Sequence, residues 1–143
     1  MTEILLVDDN PADIELTRDT LQGTSPPCEI HSAKDGVEAM AFLRHRAEFT
    51  NEAMPNLMFL DLNMPRKDGR AVLAEVKADP RLRTIPIVIF TASRAFLDIS
   101  KSYELGANCY VTKPATLPEF MAAVKSIEQF WLTAASLPRA EEA

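Results

Sequence analysis

Four ionisable residues stand where apolar runs end, and their types suit phosphoryl chemistry. Asp8 and Asp9 close Ile4-Leu5-Leu6-Val7, Asp61 closes Leu57-Met58-Phe59-Leu60, and Lys113 follows Tyr110-Val111-Thr112. If the runs are parallel strands of one open sheet, their carboxyl ends share a rim and these groups meet in one acidic pocket. Carboxylates at close range raise one another's pKa unless a cation neutralises them. Mg²⁺ meets that need, because it takes hard oxygen ligands, keeps several waters and binds through one or two carboxylates plus a phosphate. Asp9 and Asp61 are expected as direct ligands, Asp8 through water, and the backbone carbonyl of Asn63 as a further protein ligand. Asp61 is also placed to be a nucleophile that takes a phosphoryl group as an aspartyl phosphate. Lys113 would pair with Asp61 at rest and with a phosphoryl oxygen afterwards, while the Thr91 hydroxyl takes another oxygen and small Ala92 leaves room.

Each of these residues has a plainer role when taken singly. An Asp after a strand is commonly a helix cap or turn former, Thr91 a strand-end hydroxyl and Lys113 a solvated charge before Pro114. The set is what carries weight: the acids, Thr91 and Lys113 end the first, third, fourth and fifth apolar runs.

Those runs alternate with amphipathic stretches, the pattern of a parallel sheet covered on both faces. Strands are expected over 3–7, 28–33, 57–60, 86–91 and 109–112, and helices over about 11–22, 35–46, 68–78, 95–105 and 116–135. The third and fourth runs lack polar alternation and belong in the middle of the sheet. Pro11 suits a first helical turn, Asp35 with Glu38 forms a pair resembling a capping box, Gly106 terminates the fourth helix and Asp79-Pro80 the third. Segment 46–56 reads as a surface loop or a frayed helix end. Residues 1–135 form one domain, and 136–143, a Pro stop followed by small and charged residues, a flexible tail.

At 143 residues and 47% hydrophobic composition the chain suits one full core. No run approaches the roughly 18 apolar residues of a membrane span, and Met1-Thr2-Glu3 lacks the basic start of a signal peptide, so a cytoplasmic protein is expected. A net charge of −6 and the absence of a basic stripe disfavour nucleic-acid binding. Cys28 and Cys109 lie inside strand-like runs and read as buried, reduced thiols.

The motifs Leu-Val-Asp-Asp-Asn at 6–10, Leu-Asp-Leu-Asn-Met-Pro at 60–65, Asp-Gly at 68–69, Thr-Ala-Ser at 91–93 and Tyr-Val-Thr-Lys-Pro at 110–114 resemble the receiver domain of two-component response regulators. The resemblance covers nearly the whole chain. It implies an α/β, flavodoxin-like (βα)5 fold with strand order 2-1-3-4-5, an order that right-handed crossovers alone leave open. It also implies that Asp61 is the phosphoacceptor, Asp8 and Asp9 the Mg²⁺ acids, Lys113 the family's lysine, Thr91 the switch hydroxyl and Tyr110 the switch aromatic, with a histidine kinase as phosphoryl donor. In that family phosphorylation draws the hydroxyl inward and lets the aromatic ring turn, biasing the surface of the fourth helix, fifth strand and fifth helix. Asp-Asn-Pro-Ala-Asp-Ile-Glu-Leu at 9–16, the 46–56 connection and Ser-Ile-Glu-Gln-Phe-Trp-Leu at 126–132 look like the small stand-alone regulators paired with phytochrome-type kinases. The chain stops after the fifth helix, so the output is expected to pass through another protein. Ala115 departs from the Phe common after Lys-Pro, and by resemblance Asn63 and Ser93 line the approach of the water that removes the phosphoryl group.

In the last helix Leu117, Phe120, Val124, Ile127 and Trp131 recur at helical spacing and are expected to pack on the sheet, with Met121, Phe130 and Leu132 off that stripe. Phe120, Met121, Phe130 and Trp131 are candidates for a homodimer face, as in similar regulators. The rival readings are three. A haloacid-dehalogenase-type phosphatase needs a second acid two residues after the nucleophile, where Asn63 stands. A flavin-binding module needs a phosphate loop where Asp8 and Asp9 stand. A receiver-shaped binding module that is never phosphorylated has no use for an intact acidic set.

Overall fold

A computed structural model of the chain describes residues 1–23, 27–45 and 53–138. Five strands, β1 (Thr2–Val7), β2 (Cys28–Ala33), β3 (Leu57–Leu60), β4 (Ile87–Thr91) and β5 (Cys109–Thr112), alternate with five helices, α1 (Pro11–Leu21), α2 (Gly36–Leu43), α3 (Gly69–Ala78), α4 (Phe96–Glu104) and α5 (Leu117–Glu128). Every strand pair is parallel and the order is β2-β1-β3-β4-β5, the flavodoxin-like order the resemblance implies.

Helix starts fall one residue inside the expected ones because Asp35, Asp68 and Thr116 act as caps, each side chain accepting from the amide three residues on. The pair at α2 is looser than a true capping box, since Glu38 reaches the Lys34 amide rather than that of Asp35. Gly106 ends α4 at φ +108, a left-handed position suited to glycine. Strand β4 starts one residue late because Pro86 has no N–H to offer the ladder, although its carbonyl still accepts from Met58. Of the 46–56 connection, residues 46–52 lie outside those described.

Side chains alternate across the sheet into two cores. Leu5, Val7, Met58, Leu60, Ile87 and Ile89 pack under α2 and α3, and Ile4, Leu6, Leu57, Phe59, Val88 and Phe90 under α1 and α5. Each fully buried aliphatic or aromatic side chain contributes about 1.5–3 kcal/mol. Strands β3 and β4 are buried on both faces, as their uninterrupted apolar sequences require. α4 is the exception among the helices: Ser102 is its one fully buried residue, while Phe96 and Leu97 are 78% and 77% exposed.

The expected single helix over 116–135 is corrected at its end, where α5 widens into a π-helical segment, Gln129–Ala134. The wider turn rotates the following side chains, so that Leu132, expected off the packing stripe, joins Trp131 against the α1/α5 core. Leu117, expected on the stripe, is 58% exposed. Phe120 is 5% exposed and stacks on Phe90 with centroids 5.2 Å apart, which makes it a core residue rather than a surface candidate. Met121 and Phe130 stand clear and Trp131 is half-buried. Leu137 packs on the same core and the Pro138 carbonyl accepts from Asn56 Nδ2 at 3.2 Å, so 136–138 touch the body, while 139–143 lie outside the described residues. Both cysteines are reduced and half-buried rather than fully enclosed, and burial pushes the Cys109 thiol up.

Gly69 has no room for a side chain: a Cβ there would lie 2.1 Å from the Asp61 carbonyl oxygen. Gly69→Ala is therefore expected to lower unfolding stability by about 1–3 kcal/mol, measured by chemical denaturation.

Candidate functional site

The last rungs of the sheet ladder place the acids. The Asp8 amide bonds the Ala33 carbonyl at 3.0 Å, the Asp61 amide the Val7 carbonyl at 2.9 Å and the Lys113 amide the Thr91 carbonyl at 2.7 Å. Each residue is thus fixed one step beyond a strand end, on the shared rim.

Lys113 is the hub. Its side chain is 8% exposed, and Nζ donates to Asp8 Oδ2 at 2.6 Å, Asp13 Oδ2 at 2.8 Å and Asp61 Oδ2 at 3.3 Å. The expected resting pair with Asp61 is present, but it is the longest of three. Asp13 has no role in the sequence reading above. An acid in a first helical turn looks like ordinary dipole complementation, and only the fold shows that α1 starts beside β5's end. Burial pulls the Lys113 ammonium down, and the Asp13 and Asp8 carboxylates outweigh it and hold the pKa above the usual lysine range.

Asp8 is buried, and its two oxygens are both engaged, Oδ1 by the Asn10 amide at 3.0 Å and Oδ2 by Lys113. Burial pushes its pKa up to about 6 despite Lys113. Asp9 lies exposed at the mouth. Asp61 is 7% exposed, and its Oδ1 accepts from the buried Thr91 hydroxyl at 2.6 Å. Asp8, Asp9 and Asp61 each offer one oxygen within 4.8 Å of the others. One ammonium shared by three carboxylates, with Asp9 in addition, leaves the rim short of positive charge, and a hard-oxygen set open on the Asp9 side fits a small divalent cation.

The loop after β3 is held on both sides of Asn63. Leu62 is fully buried, Met64 is 9% exposed, and Asn63 is exposed between them. Further on, Arg66, at φ 65, donates through Nε to Asp35 Oδ2 at 2.8 Å, and the Gly36 amide bonds the Lys67 carbonyl at 3.0 Å. Burial alone would raise Asp35, but the Glu38 amide and Arg66 hold its carboxyl below the usual range.

Tyr110 lies partly buried against the α2/α3 core, and its hydroxyl donates to the Ser93 carbonyl at 2.9 Å. Thr91 and Tyr110 are therefore joined through two residues of one loop. The structure brings Asp8, Asp9, Asp61, Thr91 and Lys113 together at the rim, with Asn63 on the flanking loop and Tyr110 behind Thr91. Met121, Phe130 and Trp131 lie on the α5 side, away from it.

The family model described as "Response regulator receiver domain" matches residues 4–125. The chain is 46% identical over 137 residues to the response regulator Rcp1 of Synechocystis sp., covering 96% of this chain and 93% of that protein. It superposes on the crystal structure of the phosphorylated cyanobacterial phytochrome response regulator RcpA with a TM-score of 0.94 at 48% identity, over 96% of this chain and 99% of that one. It matches the Mn²⁺-bound form of Rcp1 equally well, TM-score 0.94 at 45% identity over 97% and 100%. Among the described residues no helix is long and apolar enough to cross a membrane.

The raised pKa of Asp8 fixes a sign. The folded chain holds a proton on Asp8 between the ordinary value of 3.8 and about 6, so ionised Asp8 detracts from stability above about 6 and that cost vanishes on acidification. In metal-free protein, the stability of Asp8→Asn relative to wild type is expected to rise as pH increases through this window, by on the order of 1–2 kcal/mol after solvent screening. Denaturation of both proteins across the window measures it.

Proposed function

The chain belongs to the response regulator receiver family, and from that premise we propose that Asp61 is its phosphoacceptor, loaded by a histidine kinase. The observation that carries this reading is the pairing of Asp61 with the Thr91 hydroxyl on one oxygen and the Lys113 ammonium on the other. In the transfer an Asp61 oxygen forms the O–P bond, the N–P bond of the phosphohistidine breaks, and the imidazole leaves with the electron pair and takes a proton. Lys113 then follows the phosphoryl oxygens and Thr91 donates to one of them, which draws the loop that carries Ser93 and the Tyr110 bond. Asp8, Asp9, Asp61 and the Asn63 carbonyl are the groups that would hold Mg²⁺, which when bound neutralises phosphoryl oxygens.

The reading as a signalling acceptor rather than a phosphatase is supported at Asn63, an exposed amide where a haloacid-dehalogenase-type enzyme needs an acid. The likeness to the phytochrome response regulator RcpA supports a phytochrome-type kinase as donor, and membership of the receiver family supports a cytoplasmic location. A second copy of the chain fits the α4, β5 and α5 face, where Phe96, Leu97, Tyr103, Leu117, Met121 and Phe130 stand exposed. The receiver unit spans 1–135 on this reading, and Leu137 and Pro138 continue it against the same body.

Incubated with Mg²⁺ and acetyl phosphate, wild type is expected to gain one phosphoryl group by intact mass and Asp61→Asn none. An unmodified wild type, or a modified Asp61→Asn, would overturn the assignment. Sedimentation velocity at micromolar concentration is expected to show a dimer that Met121→Asp weakens, and a monomer with and without phosphorylation removes the second copy.

A further inference from the structure

One carboxylate outside the pocket ties the β4–α4 loop to the first turn of α3. Asp98, in the first turn of α4, accepts from the Ser93 hydroxyl on Oδ2 at 2.5 Å and from Arg70 Nη2 on Oδ1 at 2.5 Å. Arg70 is the residue after Gly69, whose amide bonds the Leu62 carbonyl at 2.8 Å and which sits hard against the Asp61 backbone. Ser93 lies two residues past Thr91, and its hydroxyl and carbonyl are both engaged. The hydroxyl donates to Asp98, its oxygen accepts from the Ala95 amide at 3.2 Å, and its carbonyl accepts from Tyr110 at 2.9 Å and Thr112 at 3.5 Å.

We propose that Asp98 is a positioning residue for phosphoryl turnover: by holding Ser93 and Arg70 at once, it fixes the β4–α4 loop and so keeps the Thr91 hydroxyl at Asp61, on the carboxylate at rest and on the phosphoryl group once Asp61 is loaded. Only Ala92 separates Thr91 from Ser93, so the orientation of the Ser93 peptide limits that of Thr91. α4 itself supplies little restraint, having one fully buried side chain, so on the α4 side the loop is held by the Ser93 bond to Asp98, while Tyr110 and Thr112 hold its carbonyl from β5. Hydrogen bonds that Asp98 accepts from Ser93 and then from Arg70 hold its carboxyl below the usual range, so the tether persists through neutral pH. Burial pushes the Tyr110 hydroxyl up against its bond to Ser93, and Asp98 raises it further while Arg70 opposes.

This inference rests on Asp61 as the acceptor, and its test separates the two. Wild type is loaded with acetyl phosphate, freed of the donor, and the loss of the phosphoryl group to water is followed by intact mass. In that loss, water forms a new O–P bond, the Asp61 O–P bond breaks, and inorganic phosphate leaves. Asp98→Ala and Ser93→Ala are each expected to decay about fivefold faster, with unchanged melting temperature. Their double variant is expected to decay no faster than either alone, because both remove the same bond. Arg70→Ala should fall between wild type and these, and Asp98→Glu, long enough to reach Ser93, should recover most of the lifetime. Decay equal to wild type in Asp98→Ala, or a double variant whose effect is the product of the singles, overturns the proposal while leaving Asp61 in place. A wild type that takes up no phosphoryl group removes the Asp61 reading and this one with it.

Discussion

Carboxylates gathered at the end of a sheet repel one another, and the Lys113 ammonium is what lets the rim close. Two unit charges about 4 Å apart interact by about 4 kcal/mol at the effective dielectric of a protein surface. Asp8, Asp13 and Asp61 all lie within ion-pair reach of the single Nζ. A lysine in that position cannot be removed without leaving buried acids unpaired, and it cannot satisfy all of them fully. The arrangement is thus poor as a stabilising device and good as a receptor, because fixed groups of deficient positive charge are arranged before any cation or phosphoryl group arrives. Asp8 records the imbalance most directly, burial raising its pKa although Lys113 is 2.6 Å away.

The rest of the molecule divides into parts that hold this rim and a part free to respond to it. β1, β3 and β4 are buried on both faces, and α1, α2, α3 and α5 each set core residues against them. The β3–α3 loop is pinned by Leu62, Met64 and the Arg66 to Asp35 pair. α4 is different in kind, with large apolar side chains in solvent at its start and a serine as its buried residue. An element with so few buried contacts belongs to the low-stability end of the structure, where a local change in charge can alter a surface at little cost.

What could be read from the sequence was whatever a strand end or an apolar run encodes locally. The rim residues were legible because each follows an uninterrupted apolar stretch, and the Asp35 cap because it accepts from an amide within its own turn, whereas Asp68 and Thr116, which cap α3 and α5 in the same way, stand inside the expected helices. Strand order was not legible from alternation, since crossover handedness permits several orders. It came from the resemblance and is the order observed. Asp13 was missed because its partner is 100 positions away and its local role as a first-turn acid is sufficient by itself. The error in α5 has another origin. Helical spacing was extrapolated at a constant turn through Gln129, and the π-helical segment changes that turn, which brings Leu132 inward. Leu117 shows the opposite limit, because a residue in the right phase is still exposed when it opens the helix.

The same geometry distinguishes among the three rim acids that chemistry alone treats as equals. Both Asp8 oxygens are occupied, one by a backbone amide and one by the shortest of the three lysine bonds, and burial raises its pKa. Asp9 is exposed, so water competes for its oxygens and nothing fixed awaits an incoming group. Asp61 alone combines burial with uneven engagement, a 2.6 Å bond from Thr91 on one oxygen and a 3.3 Å contact from Lys113 on the other. A carboxylate oxygen has two lone pairs, so the weakly held Oδ2 keeps one for attack while Lys113 stays near enough to meet the charge that results. Its backbone cannot retreat, because α3 begins against its carbonyl at a glycine with no space to spare. On the proposed reading, Asp61 would be selected as nucleophile because it is the carboxylate held firmly yet left partly unsatisfied, and that property exists only once the strands have set the three acids side by side.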